Sequence, residues 1–514
     1  MGTSYSKPDP NSHSEEKRSP KEWVEDADTC SLPLYTKESA QLRTIAPASF
    51  SRRTYADSPS TTIPCARARF FSLPSACARL ERDFTGQRQG NLASQPYTEV
   101  LANRPAIQSD LHLFNIKVPI EGSPITNQRS SGRCWLFAST NVYRVPLMKT
   151  YNLKDFELSQ AYLFYWDKLE KANWFFEQII TTADEDLSGR LVQKLLEDPV
   201  SDGGQWDMVV NLIEKYGLVP HDLYPDAYHA QNSSRMNWLL TAKLREQALV
   251  LRRLVRSGDA AGLADAKERF LKEIHSMVTL LLGPPPSPDE RFVWQFYDAE
   301  GKSREVRLTP REFGRQATSL GAVRKGSVAP ARLFSLVNDP RNEYNRLLTV
   351  ERLGNVLEGR PLTYVNVEMK ILKKAVIAML KAGHPVFFGC DVGKFSNSTL
   401  GIMDLDIMDL TLGFNISLGM SKAQRLVSGE SAMTHAMVIT GVHIEDGKPV
   451  RWRVENSWGE AAGDKGWFVM TDRWMDEYTL QAVVDSDFVS SEVRAILDQS
   501  PKVLPRWDPM GVLA

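Results

Sequence analysis

Gln128-Arg129-Ser130-Ser131-Gly132-Arg133-Cys134-Trp135-Leu136-Phe137-Ala138 is the stretch on which the reading of this chain turns. Ile125, Thr126 and Asn127 lead into it as extended chain. Gly132 permits a tight turn directly before Cys134. Beyond the cysteine, Trp135, Phe137, Ala138 and Val142 can share one buried helix surface, and Pro146 is expected to limit the helix. The thiol therefore falls at a helix N-terminus, where unpaired N–H groups and the macrodipole favour an anion. The thiolate is the reactive form of cysteine, so this placement predicts a lowered pKa. A lone cysteine is more often a small buried hydrophobe, and that reading stands until partners are found.

Two later stretches supply partners. Met433-Thr434-His435-Ala436-Met437-Val438-Ile439-Thr440-Gly441-Val442 reads as a strand with His435 near its start. Trp452-Arg453-Val454-Glu455-Asn456-Ser457-Trp458-Gly459 reads as a strand running into a turn. A thiol nucleophile needs an imidazole to take its proton, and the imidazole needs a third group to fix its tautomer. Asn456 can accept the second ring N–H without adding charge. Gln128, six positions before Cys134, can offer its amide N–H to a developing oxyanion beside the Cys134 backbone N–H. His443 is the weaker base, because its flanks read as a strand end before the turn Glu445-Asp446-Gly447. Cys390 has no matched base nearby in sequence and reads as core within Pro385-Val386-Phe387-Phe388-Gly389-Cys390.

Gln128 with Ser131-Gly132-Arg133-Cys134-Trp135, then Thr434-His435-Ala436-Met437, then Asn456-Ser457-Trp458-Gly459, resemble the papain-like cysteine peptidases. More narrowly, the chain resembles the bleomycin hydrolase family of intracellular cysteine aminopeptidases. Supporting stretches are Glu157-Leu158-Ser159-Gln160, Asp167-Lys168-Leu169-Glu170-Lys171, Asp202-Gly203-Gly204-Gln205-Trp206, Phe388-Gly389-Cys390-Asp391 and Trp507-Asp508-Pro509-Met510-Gly511. The resemblance runs from about residue 96 to the end. It departs at Arg129, where the family more often has Gln, and the first 95 residues have no counterpart.

The resemblance implies an α+β fold: a papain-like pair of lobes, one helical and one an antiparallel sheet, with a large helical insertion. It implies Cys134 as nucleophile, His435 as base, Asn456 as its orienting group and Gln128 as oxyanion donor. Trp458 would cover the His435–Asn456 bond, and Gly203 and Gly204 would line the substrate cleft, where glycine admits close backbone approach. No cofactor and no metal are implied. Peptide substrates, a homohexamer, bleomycin inactivation and homocysteine-thiolactone hydrolysis are. The C-terminal arm is expected to enter the cleft, with Ala514 presenting an untrimmed carboxylate to the substrate's α-ammonium group. Family members can bind DNA through a basic channel, so DNA or RNA is a further expected partner, with Arg252-Arg253 and Lys373-Lys374 as local basic pairs. Two rivals remain at this level: a papain-like endopeptidase, and a non-enzymatic assembly that binds nucleic acid.

The whole chain sets bounds. Its 514 residues are 42% hydrophobic and 24% charged, an ordinary globular composition. A net charge of −1 gives no overall attraction to nucleic acid or an anionic membrane. No apolar run reaches the roughly 18 residues of a membrane span. The eight histidines are scattered, with no Cys-x-x-Cys and no phosphate-binding glycine loop. The five cysteines, at 30, 65, 77, 134 and 390, form no disulfide framework. Ser131 stands where the secreted papain pattern has a cysteine, which favours a reducing compartment, the cytoplasm. Residues 1–95 read as a disordered N-terminal extension. Its start fits an N-myristoylation pattern at Gly2, and 41–80 has transit-peptide composition, which would direct the chain to the mitochondrion. The two readings exclude one another, and the internal, Pro-interrupted position of 41–80 favours a plain arm. Residues 96–500 are expected to form the peptidase domain, with an insertion around 225–375, and 501–514 the arm. The insertion follows from spacing: Cys134 and His435 are 301 residues apart (435 − 134), against ~130–150 in a minimal papain-like chain. Within it, 234–256 and 261–283 are helical in pattern, and Phe292–Tyr297 reads as a hairpin strand.

Overall fold

A computed structural model describes residues 92–323 and 333–514. The expectations for residues 1–91 lie outside the described residues; they are the extension, Gly2, the composition of 41–80, and Cys30, Cys65 and Cys77.

The principal helices are α1 (Cys134–Tyr151), α2 (Gln160–Thr181), α3 (Arg190–Glu197), α4 (Trp206–Tyr216), α5 (Ser234–Ser257), α6 (Ala260–Leu282), α7 (Pro310–Val323) and α8 (Met369–Lys381). Helix α1 is buried on almost every side, and its buried Thr140, Asn141 and Arg144 are hydrogen-bonded within the fold. It does not stop at Pro146. It runs on to Tyr151 and closes at Asn152 in the left-handed conformation. Burial of Val145, Leu147 and Met148 around the proline outweighs the one backbone bond that Pro146 forgoes. Helix α2 starts from Ser159, whose side chain accepts the Tyr162 N–H. Its aromatic Tyr162 and Tyr165 are buried in the core.

The strands are β1 (Ile116–Lys117), β2 (Phe292–Tyr297), β3 (Ser303–Leu308), β4 (Leu333–Val337), β5 (Arg346–Val350), β6 (Tyr364–Asn366), β7 (Val386–Cys390), β8 (Ser396–Asn397), β9 (Ile402–Met403), β10 (His435–Glu445), β11 (Lys448–Glu455), β12 (Trp467–Thr471), β13 (Thr479–Asp485) and β14 (Lys502–Leu504). Twelve of them form one sheet in the order β14-β5-β6-β4-β13-β7-β10-β11-β12-β9-β8, with β1 added on β10. Most pairings are antiparallel; β4–β6, β5–β14 and β9–β12 are parallel. Asp446 and Gly447, both at positive φ, turn β10 into β11, the pattern of a tight hairpin. Helix α1 packs on β10, which brings the two lobes into one core.

The expected insertion at 225–375 is not one block. Helices α5 and α6 pack on α2, and β2 and β3 form a separate hairpin before α7. Strands β4, β5 and β6, however, belong to the main sheet. Every residue of β4 and β6 is buried, and buried strands must find hydrogen-bonding neighbours for their backbone. Strand β14 pairs with β5 at the sheet edge, so the C-terminal arm departs from an anchored strand.

Candidate active site

Cys134 is the first residue of α1 and only 2% exposed. The turn before it is tied down on three sides. Gly132 N–H donates to Asp202 Oδ2 at 3.0 Å. Arg133, fully buried, makes a two-pronged pair with Asp226, both bonds 2.8 Å. Ser131 Oγ donates to the Gln128 carbonyl at 2.6 Å.

His435 opens β10, opposite Cys390 on β7. Its Nε2 lies 2.9 Å from Asn456 Oδ1, which also accepts the Ser457 N–H at 2.8 Å. That leaves Nδ1 as the ring nitrogen that can take a thiol proton. The Trp458 ring lies 4.8 Å from the imidazole and covers it. His443, at the far end of β10, pairs with Glu445 at 2.7 Å.

The thiol departs from the sequence expectation. Burial is the largest influence and pushes Cys134 up to about 11, against the Ala436, Trp135 and Cys134 N–H groups that face the sulfur. The helix N-terminus does favour the anion, but exclusion of water outweighs it. Burial also lowers His435 to about 4, against its bond to Asn456. Burial thus favours the uncharged form of both groups. Cys390 is fully buried, and burial raises its thiol well above the ordinary value.

Gln128 is fixed along its length. Its N–H donates to the Ser457 carbonyl at 2.8 Å, and its Oε1 accepts from Ser457 Oγ at 2.7 Å. Its Nε2 gives one hydrogen to the Ser131 carbonyl at 2.7 Å. An amide nitrogen carries two, so one donor is left.

Gly203 and Gly204 cradle the end of the chain. Gly204 N–H donates to the Ala514 main-chain oxygen at 2.9 Å. Gln205 Nε2 donates to the Val512 carbonyl, also at 2.9 Å. A Cβ on Gly203 would stand 2.8 Å from the oxygens of both Leu513 and Ala514, and one on Gly204 would stand 2.4 Å from the Trp135 ring. The arm is anchored upstream by Asp508, 2.8 Å from Arg341, and by Trp507 under the Arg190 guanidinium. Ala514 is buried. The structure thus brings Cys134, His435, Asn456, Gln128 and Trp458 into one site, with Gly204 against Trp135 and Ala514 seated on Gly203 and Gly204 at its edge.

Several residues of this neighbourhood were given no role by the sequence. Lys168 Nζ donates to Asp202 Oδ1 at 2.7 Å and to the Val200 carbonyl at 2.5 Å. Lys171 Nζ donates to the Ser201 and Gly203 carbonyls at 2.8 and 2.7 Å. Two lysines on the apolar face of α2 were the available signal, since a buried cation requires partners. Arg144 on α1 meets Glu455, which precedes Asn456, at 2.5 Å, both buried. Burial raises the Glu455 carboxyl to about 7, with Arg144 pulling it back.

Among the described residues no group of three or more His, Cys, Asp or Glu side chains could hold a metal ion. No helix among them is long and apolar enough to cross a membrane. One member of each basic pair is used internally: Arg252 donates to the Thr182 and Glu185 carbonyls, and Lys373 pairs with Asp472 and Asp476.

Comparison with known proteins adds the following. A family model described as "Peptidase C1-like family" matches residues 79–511, starting upstream of the expected boundary at 96. Human "Bleomycin hydrolase" is 46% identical over 426 residues, 81% of this chain and 92% of the relative. "Cysteine proteinase 1, mitochondrial" of Saccharomyces cerevisiae strain JAY291 is 44% identical over 427 residues, 81% of this chain and 86% of the relative. The crystal structure of PepW from Lactobacillus rhamnosis HN001 superposes with a TM-score of 0.81 at 38% identity, covering 87% of this chain and 100% of that one.

Proposed function

Because this chain belongs to the Peptidase C1-like family and is a cysteine peptidase, we propose that it acts as an aminopeptidase of bleomycin hydrolase type, releasing residues singly from peptide N-termini. Cys134 Sγ attacks the scissile carbonyl as its proton passes to His435 Nδ1. Asn456 holds the ring through Nε2 and favours the imidazolium that forms. The oxyanion is met by the remaining Gln128 amide hydrogen and the Cys134 N–H. His435 returns its proton to the leaving amine, and the acyl-enzyme is then cleaved by water that His435 activates. Burial, which raises Cys134 and lowers His435, fits a site where charge develops as the reaction proceeds.

The observation that carries the single-residue reading is the seat of Ala514 on Gly204. An arm there fills the cleft beyond one substrate residue, and its main-chain oxygens suit a substrate α-ammonium group. Bleomycin and homocysteine thiolactone fit the same rule, since each offers a free amine close to an acyl carbon. The reading is tested by deleting residues 512–514 and digesting matched free and N-acetylated peptides, with Cys134→Ala as the inactive control. The deletion should admit N-acetylated peptides and cut them internally. Continued release of one residue at a time, with N-acetylated peptides still refused, would favour some other stop.

A homohexamer is part of the proposal. It is supported by Trp238, Leu239, Leu249 and Leu280, which expose large apolar side chains on α5 and α6. For localisation, the cytoplasm is favoured by the free Cys134 and Cys390, and the mitochondrion by the name of the yeast relative. Nucleic-acid binding is the weaker partner reading, because Arg252 and Lys373 are already engaged within the fold.

A further inference from the structure

Asp202 stands between the nucleophile turn and the cradle of the arm. Its Oδ2 accepts from Gly132 N–H at 3.0 Å and from Ser233 Oγ. Its Oδ1 accepts from Lys168 Nζ and Asn237 Nδ2, both at 2.7 Å. Its carbonyl accepts the Trp135 indole N–H at 2.6 Å. Five donors thus converge on one nearly buried residue, from the turn before Cys134, from the residue after it, from α2 and from the start of α5. The next two residues are Gly203 and Gly204, where the arm ends. The fit at Gly132 is close, since a Cβ there would stand 2.8 Å from Asp202 Cβ.

We propose that Asp202 is a positioning residue that locks the Gly132–Cys134 turn and the Gly203–Gly204 cradle into one rigid unit, so that nucleophile and stop keep a fixed separation. No disulfide joins these two segments, since Cys134 is free and no other cysteine lies in either. The carboxylate fills that place. Burial alone would raise Asp202, but Lys168, Ser233 and Gly132 outweigh it and keep the group ionised. Through Ser233 and Asn237 the unit also extends to α5, so displacement of that helix reaches the turn before Cys134. The unit's charge also bears on the thiol: after burial, the Asp202 carboxylate is among the groups that raise Cys134.

This inference rests on the roles proposed for Cys134 and Ala514, and its test separates the two. Asp202→Ala and the milder Asp202→Asn are compared with the wild type, all normalised to active thiols by titration with an irreversible inhibitor. Asp202→Ala should lower kcat/KM for free peptides on the order of 10- to 100-fold per active thiol, as a small misplacement of reacting groups does. It should also begin to cut N-acetylated peptides. Asp202→Asn, which keeps an acceptor for Gly132 but loses its charge, should show both effects in weaker form. It should also shift the pH profile of Cys134 alkylation to lower pH. A merely structural aspartate would lower yield and melting temperature but leave titrated molecules behaving as wild type. That outcome overturns the inference, as does loss of one property without the other. If Asp202→Ala does not fold, Asp202→Asn decides alone. A wild-type enzyme that itself cuts N-acetylated peptides would overturn the proposed function instead.

Discussion

Replacing Gly203 with alanine should turn a blunt cleft into an open one. The new Cβ would stand 2.8 Å from the Ala514 and Leu513 oxygens and 2.9 Å from Leu513 Cβ, where ordinary contacts begin at 3.4 Å. The arm must retreat by about 0.6 Å (3.4 − 2.8), which takes the 2.9 Å Gly204–Ala514 hydrogen bond to the edge of bonding distance. Each of the two hydrogen bonds that hold the arm here, Gly204 to Ala514 and Gln205 to Val512, contributes about 1 kcal/mol. A loss of about 2 kcal/mol shifts the ratio of seated to released arm roughly 30-fold. Cleavage of N-acetylated peptides tracks the released fraction, so it should rise by that factor while single-residue release falls. Mass spectrometry of paired digests, free and N-acetylated, reads both at once. Gly204→Ala is the contrasting variant: its Cβ meets the Trp135 ring, so it should weaken every amide hydrolysis instead of redirecting it. If Gly203→Ala refuses N-acetylated peptides as firmly as wild type, the seat at Gly203–Gly204 does not set the length of the cut.

Gln128→Ala should lower kcat on the order of 10²–10³-fold with KM little changed, as loss of one oxyanion donor does; near wild-type kcat in steady-state assays would remove Gln128 from the site. The pH profile should be broad. With His435 neutral above about 4 and Cys134 protonated below about 11, the pair holds one transferable proton throughout that interval. Falling pH adds a second proton as it passes about 4 and stops the reaction, so log kcat/KM should show its acid limb there and a plateau through pH 8. An acid limb between pH 6 and 7 in the intact enzyme would mean that the cleft does not exclude water as described. Removing residues 512–514 opens the site, so that limb should move up toward the ordinary imidazole value.

The chemistry was legible in the sequence because it lies in short, ordered stretches. The turn at Gly132, the helix after Cys134 and the strand at His435 each carry their own local signal, and so do α5, α6 and the β10–β11 hairpin. Three things were not legible. The charge state of Cys134 depends on how completely the lobes and arm exclude water, which the helix N-terminus alone does not reveal. The supports of the site pair residues far apart in the chain: Lys168 with Asp202, Asn237 with Asp202, Arg133 with Asp226. Strands β4 to β6 have no local mark that sends them to the main sheet rather than to helices α5 and α6; long-range pairing with β13 decides it. Pro146 misled for a similar reason, since a local breaker signal gave way to burial on both sides.

The contact between Arg144 and Glu455 has a consequence for how this enzyme can vary. Arg144 also donates to the Pro124 and Phe156 carbonyls, and a side chain on Gly122 would run into its guanidinium. Changing either charged partner alone strands a buried ion at a cost of about 3–5 kcal/mol, a large part of a domain's whole stability. The two positions, 311 residues apart in the chain, therefore behave as one heritable character. A lineage keeps both, or replaces both within a short interval, and recombinants that take one lobe from a diverged relative should fail unless they inherit its partner as well.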